Sequence, residues 1–204
     1  MKPSSTSATR SMNFIGLAAG VLMVALPFLG PWWMATVGTG AMEIALSPFD
    51  LSISVLGQPI HSQLVDLFLL ASKIAMIIAG AFLVLGSLFP NSWWSSRLVR
   101  FGVMKPFWAV VGIVVVLIVG SFLVNNVLPH LLANIIPDGA SVEIMVPYLV
   151  GSASATIQIG SQASIVAPIN LSLTPAFWVA IVAAVLGIAA RISYRRFKKH
   201  REQQ

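Results

Sequence analysis

Residues 106–128, PFWAVVGIVVVLIVGSFLVNNVL, carry no ionisable side chain. A run of that length can cross a bilayer as a helix, which takes about 20 apolar residues. Three more long apolar stretches accompany it, at 12–36, 64–89 and 175–193. Inside hydrocarbon only helices and closed barrels satisfy their own backbone groups. Four such runs therefore point to a bundle of four membrane-spanning helices. Composition agrees: of 204 residues, 57% are hydrophobic and 9% charged, against about 25% charged in a typical soluble domain. So few charges cannot cover a water-facing surface. Trp32, Trp33, Trp93, Trp94, Trp108 and Trp178 lie near the ends of the runs, where an interfacial aromatic belt is expected.

The basic residues set a direction. Lys2 and Arg10 precede the first run, and Arg97, Arg100 and Lys105 lie in the segment 90–105 between the second and third. Arg195, Arg196, Lys198, Lys199 and Arg201 follow the fourth, whereas loops 37–63 and 130–174 contain neither Lys nor Arg. By the positive-inside rule, tails 1–11 and 194–204 and the short middle loop are cytoplasmic. The chain is then expected to be a multi-pass protein of the cell membrane. The first run exceeds the apolar core of a signal peptide and no A-x-A site follows it, so it is expected to remain as a span. The net charge of +6 is gathered at the membrane. This favours anionic lipid at the cytoplasmic face over nucleic acid, at about 1 kcal/mol per basic residue near the surface.

Both outer loops alternate with the period of β-strands. In the first, Met42, Ile44 and Leu46, then Leu51, Ile53 and Val55, flank the turn SPFD. In the second, SVEIMV (141–146), ATIQIG (155–160) and SIVAPINLSLT (164–174) are separated by Pro and Gly. A sheet edge cannot lie in lipid, and the strands are too few and short for a transmembrane barrel. The loops are expected to pair as one small extracytoplasmic β-sheet cap over the bundle, since an isolated hairpin is only marginally stable.

Four spans, inward termini, Pro31-Trp32-Trp33 at the outer end of the first span and β-rich outer loops resemble the claudins and the related peripheral myelin protein tetraspans. Prokaryotic four-span proteins with a similar end to the first span share the arrangement. The resemblance implies the architecture. The Trp–Gly-Leu-Trp signature and paired cysteines of claudin outer loops have no counterpart in this chain.

Few residues suggest chemistry. Asp66, Lys73, Gly80 and Ser87 recur every seven residues, which places them on one helix face. A Lys within a span costs about 2.5–3.5 kcal/mol on insertion scales, so Lys73 needs partners. Asp66, or Ser121 and Asn125 of the third span, are the candidates, and a structural anchor is favoured over an ion relay because the other spans lack interior ionisable groups. His61 and His130, with Asp66 and Asp138 or Glu143, could be imagined around a metal, but no ligand spacing supports it and interfacial histidines are expected instead. Gly16-x-x-x-Gly20 and Ala183-x-x-x-Gly187 allow close helix approach. Asn170-Leu171-Ser172 is a glycosylation sequon in the second outer loop.

The absence of cysteine excludes thiolate metal sites and thiol nucleophiles. No catalytic triad elbow or phosphate loop is present. No cofactor and no metal are expected. The reading is a non-catalytic scaffold or accessory subunit whose outer cap binds a protein partner or a second copy. The alternatives are a small transporter or channel using the Asp66/Lys73 stripe, and a subunit of a membrane redox complex.

Overall fold

The computed structural model describes residues 13–89, 92–133, 140–159 and 163–201. Among the described residues, three helical stretches are long and apolar enough to cross a membrane: Gln63–Leu88, Ser95–Leu131 and Pro175–Ser193. The first is helix α2. The second comprises α3 (Ser95–Val103), α4 (Lys105–Asn126) and the start of α5 (Leu128–Ala133), joined through single residues. The third belongs to α6 (Pro175–Arg201), which continues through the basic residues expected to form a tail.

The run 12–36 departs from its expected form. Helix α1 covers only Phe14–Ala25 and tightens into a 3-10 turn at Leu26–Phe28. Pro27 lies in that turn, Gly30 takes a φ of +88°, and Pro31 follows. The helix cannot continue through this sequence. Trp33–Val37 becomes strand β1 instead. From Phe14 to Phe28 the apolar helix is about 22 Å long at 1.5 Å per residue, short of a 30 Å hydrocarbon core. The segment 90–105 differs too. It contains α3, whose Val99, Gly102 and Val103 recur at i, i+3 and i+4 and are buried.

Glycines bring the helices together. A Cβ on Gly20 of α1 would lie 2.9 Å from the carbonyl oxygen of Gly80 in α2, and one on Gly80 would lie 2.9 Å from that of Gly20. At the far end, the Asn13 side chain accepts from the Gly16 N–H at 3.1 Å and donates to the Ala190 carbonyl at 3.4 Å. The Asn13 N–H reaches the Ser87 carbonyl, and Ser95 Oγ donates to Gly86. Hydrogen bonds thus join α1, α6, α2 and α3 at one level. Met23, Leu26, Leu83 and Val103 fill the core above it.

Among the described residues, seven antiparallel strands form one sheet in the order β4-β3-β2-β1-β7-β6-β5. Beside β1, the first half comprises β2 (Met42–Ser47), β3 (Asp50–Val55) and β4 (Gln58–Ile60). The second comprises β5 (Ala140–Ile144), β6 (Gly151–Ile159) and β7 (Ala163–Leu173). The two loops therefore share a single sheet, joined where β1 pairs with β7 from Trp33↔Leu173 to Val37↔Ile169.

Register gives the sheet two unlike faces. Trp33, Ala35 and Val37 share a face with Leu46, Ile44 and Met42 and with Leu173, Leu171 and Ile169. Thr36 shares the other with Glu43 and Asn170, and Asn170 with Ser152. Ala35, Ala155, Ile169 and Leu171 form a small buried cluster on the apolar face, with Val146 packed against it.

Candidate functional site at the sheet–helix junction

Pro31-Trp32-Trp33 is the hinge between bundle and sheet. Trp32 is fully buried, edge-on to Phe49 from the β2–β3 turn and to Phe177 from the first turn of α6. Its N–H donates to Leu46 and its carbonyl accepts from Thr174. The Thr174 hydroxyl donates to the Pro31 carbonyl. One tryptophan thus fastens the start of β1, the end of β2 and the entry to α6. Its indole nitrogen has no hydrogen-bond partner among the described residues. The β2–β3 turn is closed locally, because Ser47 Oγ accepts from the Phe49 N–H and donates to the Asp50 carbonyl.

Trp33 holds a different element. Its indole N–H donates to the Leu149 carbonyl at 2.7 Å. Residues 145–150 form a strap between β5 and β6, and α4 grips the same strap from the other side. Asn125 donates to the Val146 carbonyl at 2.8 Å and accepts from the Val146 N–H at 2.7 Å. Ser121 Oγ lies 3.1 and 3.0 Å from the carbonyls of Pro147 and Tyr148. These bonds give the irregular backbone the partners that a neighbouring strand would otherwise supply.

This assigns Ser121 and Asn125 differently from the expectation that they partner Lys73. Among the described residues Lys73 forms no ion pair; its ammonium lies 5.2 Å from the centroid of the Phe28 ring, a cation–π contact. Phe28 closes the 3-10 turn, so Lys73 lies level with the sheet-side end of α1 rather than halfway along the bundle. Asp66 is exposed in the first turn of α2, where a carboxylate complements the helix dipole. The expected stripe is divided: Gly80 and Ser87 face α1, and Asp66 stands clear of it. Ser87 Oγ is buried without a hydrogen-bond partner among the described residues.

The other candidates do not assemble. His61 and His130 are exposed, and Asp138 lies outside the described residues. No group of three or more His, Cys, Asp or Glu able to hold a metal occurs among the described residues. Asn170 is exposed on β7 and accepts from Ser152 Oγ at 2.8 Å. Arg195, Arg196, Lys198, Lys199 and Arg201 lie along the final turns of α6.

Hollows adjoin the junction. A trough of about 830 Å³ lies between the strap and β6, with Asn125, Tyr148, Ser152, Ser154 and Thr156 among its walls. β5 pairs only with Ala155–Ile159 of β6, so Gly151–Ser154 have a strand neighbour on the β7 side alone among the described residues. Met145, Tyr148 and Val150 are exposed beside this edge. A second hollow, about 370 Å³, lies between α2 and α4 beneath the β2–β3 turn. The strap, its clamp and the short free edge could not be read from periodicity. The one available signal was polar Ser121 and Asn125 in an apolar run.

No protein-family model matches the chain, and no curated protein matches it significantly.

Proposed function

We propose that the chain is a non-catalytic integral membrane protein, a scaffold or accessory subunit. Its outer sheet binds an extended segment of a partner protein at the free edge of β6. The carrying observation is that edge: Gly151–Ser154 lack a second strand neighbour among the described residues, beside a trough flanked by exposed Met145 and Tyr148. Strand addition draws affinity from backbone hydrogen bonds and specificity from adjoining side-chain pockets. Clamping of the strap by Asn125, Ser121 and Trp33 favours binding, because a rigid receptor loses little entropy on association.

In this reading the bundle crosses the cell membrane four times, the short α1 through a locally thinned bilayer, with the sheet outside and the basic segments in the cytoplasm. The Lys/Arg distribution supports the orientation. The basic end of α6 sits against anionic lipid. The resemblance to claudin-like tetraspans is kept as one of architecture. Lys73 serves as an anchor, because it meets an aromatic ring and, among the described residues, no second ionisable group.

The chain lacks cysteine, so single cysteines report topology cleanly. With an impermeant maleimide on intact cells, Ser54→Cys should label and Ser96→Cys should not; the reverse pattern overturns the orientation. A photo-crosslinking residue at Met145 or Ser154 should give one adduct of defined mass, and one at Ser52 on β3 should not. Equal adducts at all three positions, or none, would reject the β6 edge as the binding surface.

A further inference from the structure

We propose that the hollow between α2 and α4 binds the acyl chain of a membrane lipid. The inference rests on the membrane placement proposed above and is independent of the β6 edge. Ile113 of α4, 4% exposed, forms the floor. Phe68 of α2 and Trp108 of α4 are its exposed lips, and Pro48 of the β2–β3 turn is its roof. From Trp108 to Val116 the slot runs about 12 Å along α4 at 1.5 Å per residue.

Three observations identify the occupant. Both walls belong to stretches long and apolar enough to cross a membrane, so in the proposed placement the surrounding medium is hydrocarbon. Ser47 at the roof already uses its hydroxyl within its own turn, so it makes no demand for a polar ligand. Gly112, on the slot, has no heavy atom within 4 Å of where its Cβ would stand. Where Gly20 and Gly80 make room for a helix, Gly112 leaves room that no part of the described chain fills. An apolar space open to lipid is filled by chains, since an empty one forfeits dispersion contacts on its walls.

The slot also has a structural consequence. Its roof belongs to the sheet and its floor to the bundle, so an occupying chain ties the two together and stabilises the junction by mass action.

The test uses the full chain in phosphatidylcholine vesicles containing a phosphatidylcholine with a mid-chain diazirine. After illumination, adducts should concentrate on 68–72 and 108–116. They should exceed those on the exposed face of α6 around Trp178, Val182 and Val185 by about tenfold, equivalent to 1.4 kcal/mol of preferential packing. Gly112→Leu, whose Cβ meets no heavy atom within 4 Å, places a side chain at the slot and should remove that excess. Gly120→Leu, at an equally open position outside the slot, should preserve it. Circular dichroism and melting confirm that both variants fold. Labelling of 178–185 as strong as that of 108–116, or undiminished labelling of Gly112→Leu, overturns the proposal. A second copy seated in the slot is also excluded by the outcome: Gly112→Leu would then change oligomer mass without an acyl-chain excess in the wild type. Adducts on no face at all would reject the membrane placement itself.

Discussion

Asn125 and Val146 exchange two hydrogen bonds, side-chain amide to backbone peptide, at 2.8 and 2.7 Å. A single side chain on α4 therefore reproduces the paired contact that antiparallel strands make with each other, and it fixes the strap that leads into β6.

Removing this contact should be costly in proportion to the bonds lost. Asn125→Leu strands both a donor and an acceptor, and an unsatisfied buried group costs about 1–3 kcal/mol. Asn125→Asp keeps the acceptor for the Val146 N–H and loses the donor to its carbonyl. We expect the order wild type, Asp, Leu in detergent melting temperature, with protease cleavage rising first within 145–150. Equal stability of all three variants would show that the clamp carries no weight.

The α1–α2 crossing should be sensitive to a single methyl. Gly80→Ala places a Cβ 2.9 Å from a backbone oxygen that cannot rotate away, so the helices must separate, at about 2 kcal/mol. Gly112→Ala meets open space and should be neutral or stabilising by up to about 1 kcal/mol through helix propensity. Unfolding in mixed micelles with increasing denaturing detergent compares the two directly. A Gly112→Ala loss as large as that of Gly80→Ala would contradict the packing described.

Asp66 and Lys73 should behave independently. Lys73→Met loses a cation–π contact worth about 0.5–1 kcal/mol at an exposed site, together with the cost of holding a charge there. The double-mutant cycle of Asp66→Asn with Lys73→Met should give a coupling below about 0.5 kcal/mol, as for sites without shared partners. A coupling several times larger would restore Asp66 as the Lys73 partner. Ion flux in vesicles that disappears in a folded Lys73→Met variant would favour transport.

Trp32→Ala should be among the most damaging substitutions, at about 3–5 kcal/mol for loss of a buried large aromatic. It removes the edge contacts to Phe49 and Phe177 and opens the joint between sheet and bundle. We expect the far-ultraviolet signal of the sheet to melt before that of the helices, where the wild type melts in one step. A single unchanged transition would show that the joint is secured elsewhere.

The long helices and most strands were legible because their patterns are plain: long, largely apolar runs for α2, α4 and α6, and alternation for β2, β3, β6 and β7. The end of the first run was harder. Trp33–Val37 is as apolar as the helix before it, so burial alone cannot separate strand from span; Pro27, Gly30 and Pro31 mark the break. Helix α3 was hidden because its arginines resemble those of a cytoplasmic loop, although Val99, Gly102 and Val103 had helical spacing. The strap was illegible for a different reason. Its partners are a tryptophan more than a hundred residues earlier and two polar residues on α4, and no local pattern encodes such contacts. Those same polar residues were read towards Lys73 because an isolated charge attracts the first available partners.

The β1–β7 ladder has a consequence for biogenesis. Its two strands lie about 130 residues apart, a separation that makes pairing slow and late. A ribosome delivers β1 to β4 long before β7 exists, so the inner edge of β1 waits without its mate while α2 to α5 are made. An unpaired strand edge invites stray association. The nascent first half must therefore be shielded, or kept from other copies, until the C-terminal part arrives to close it.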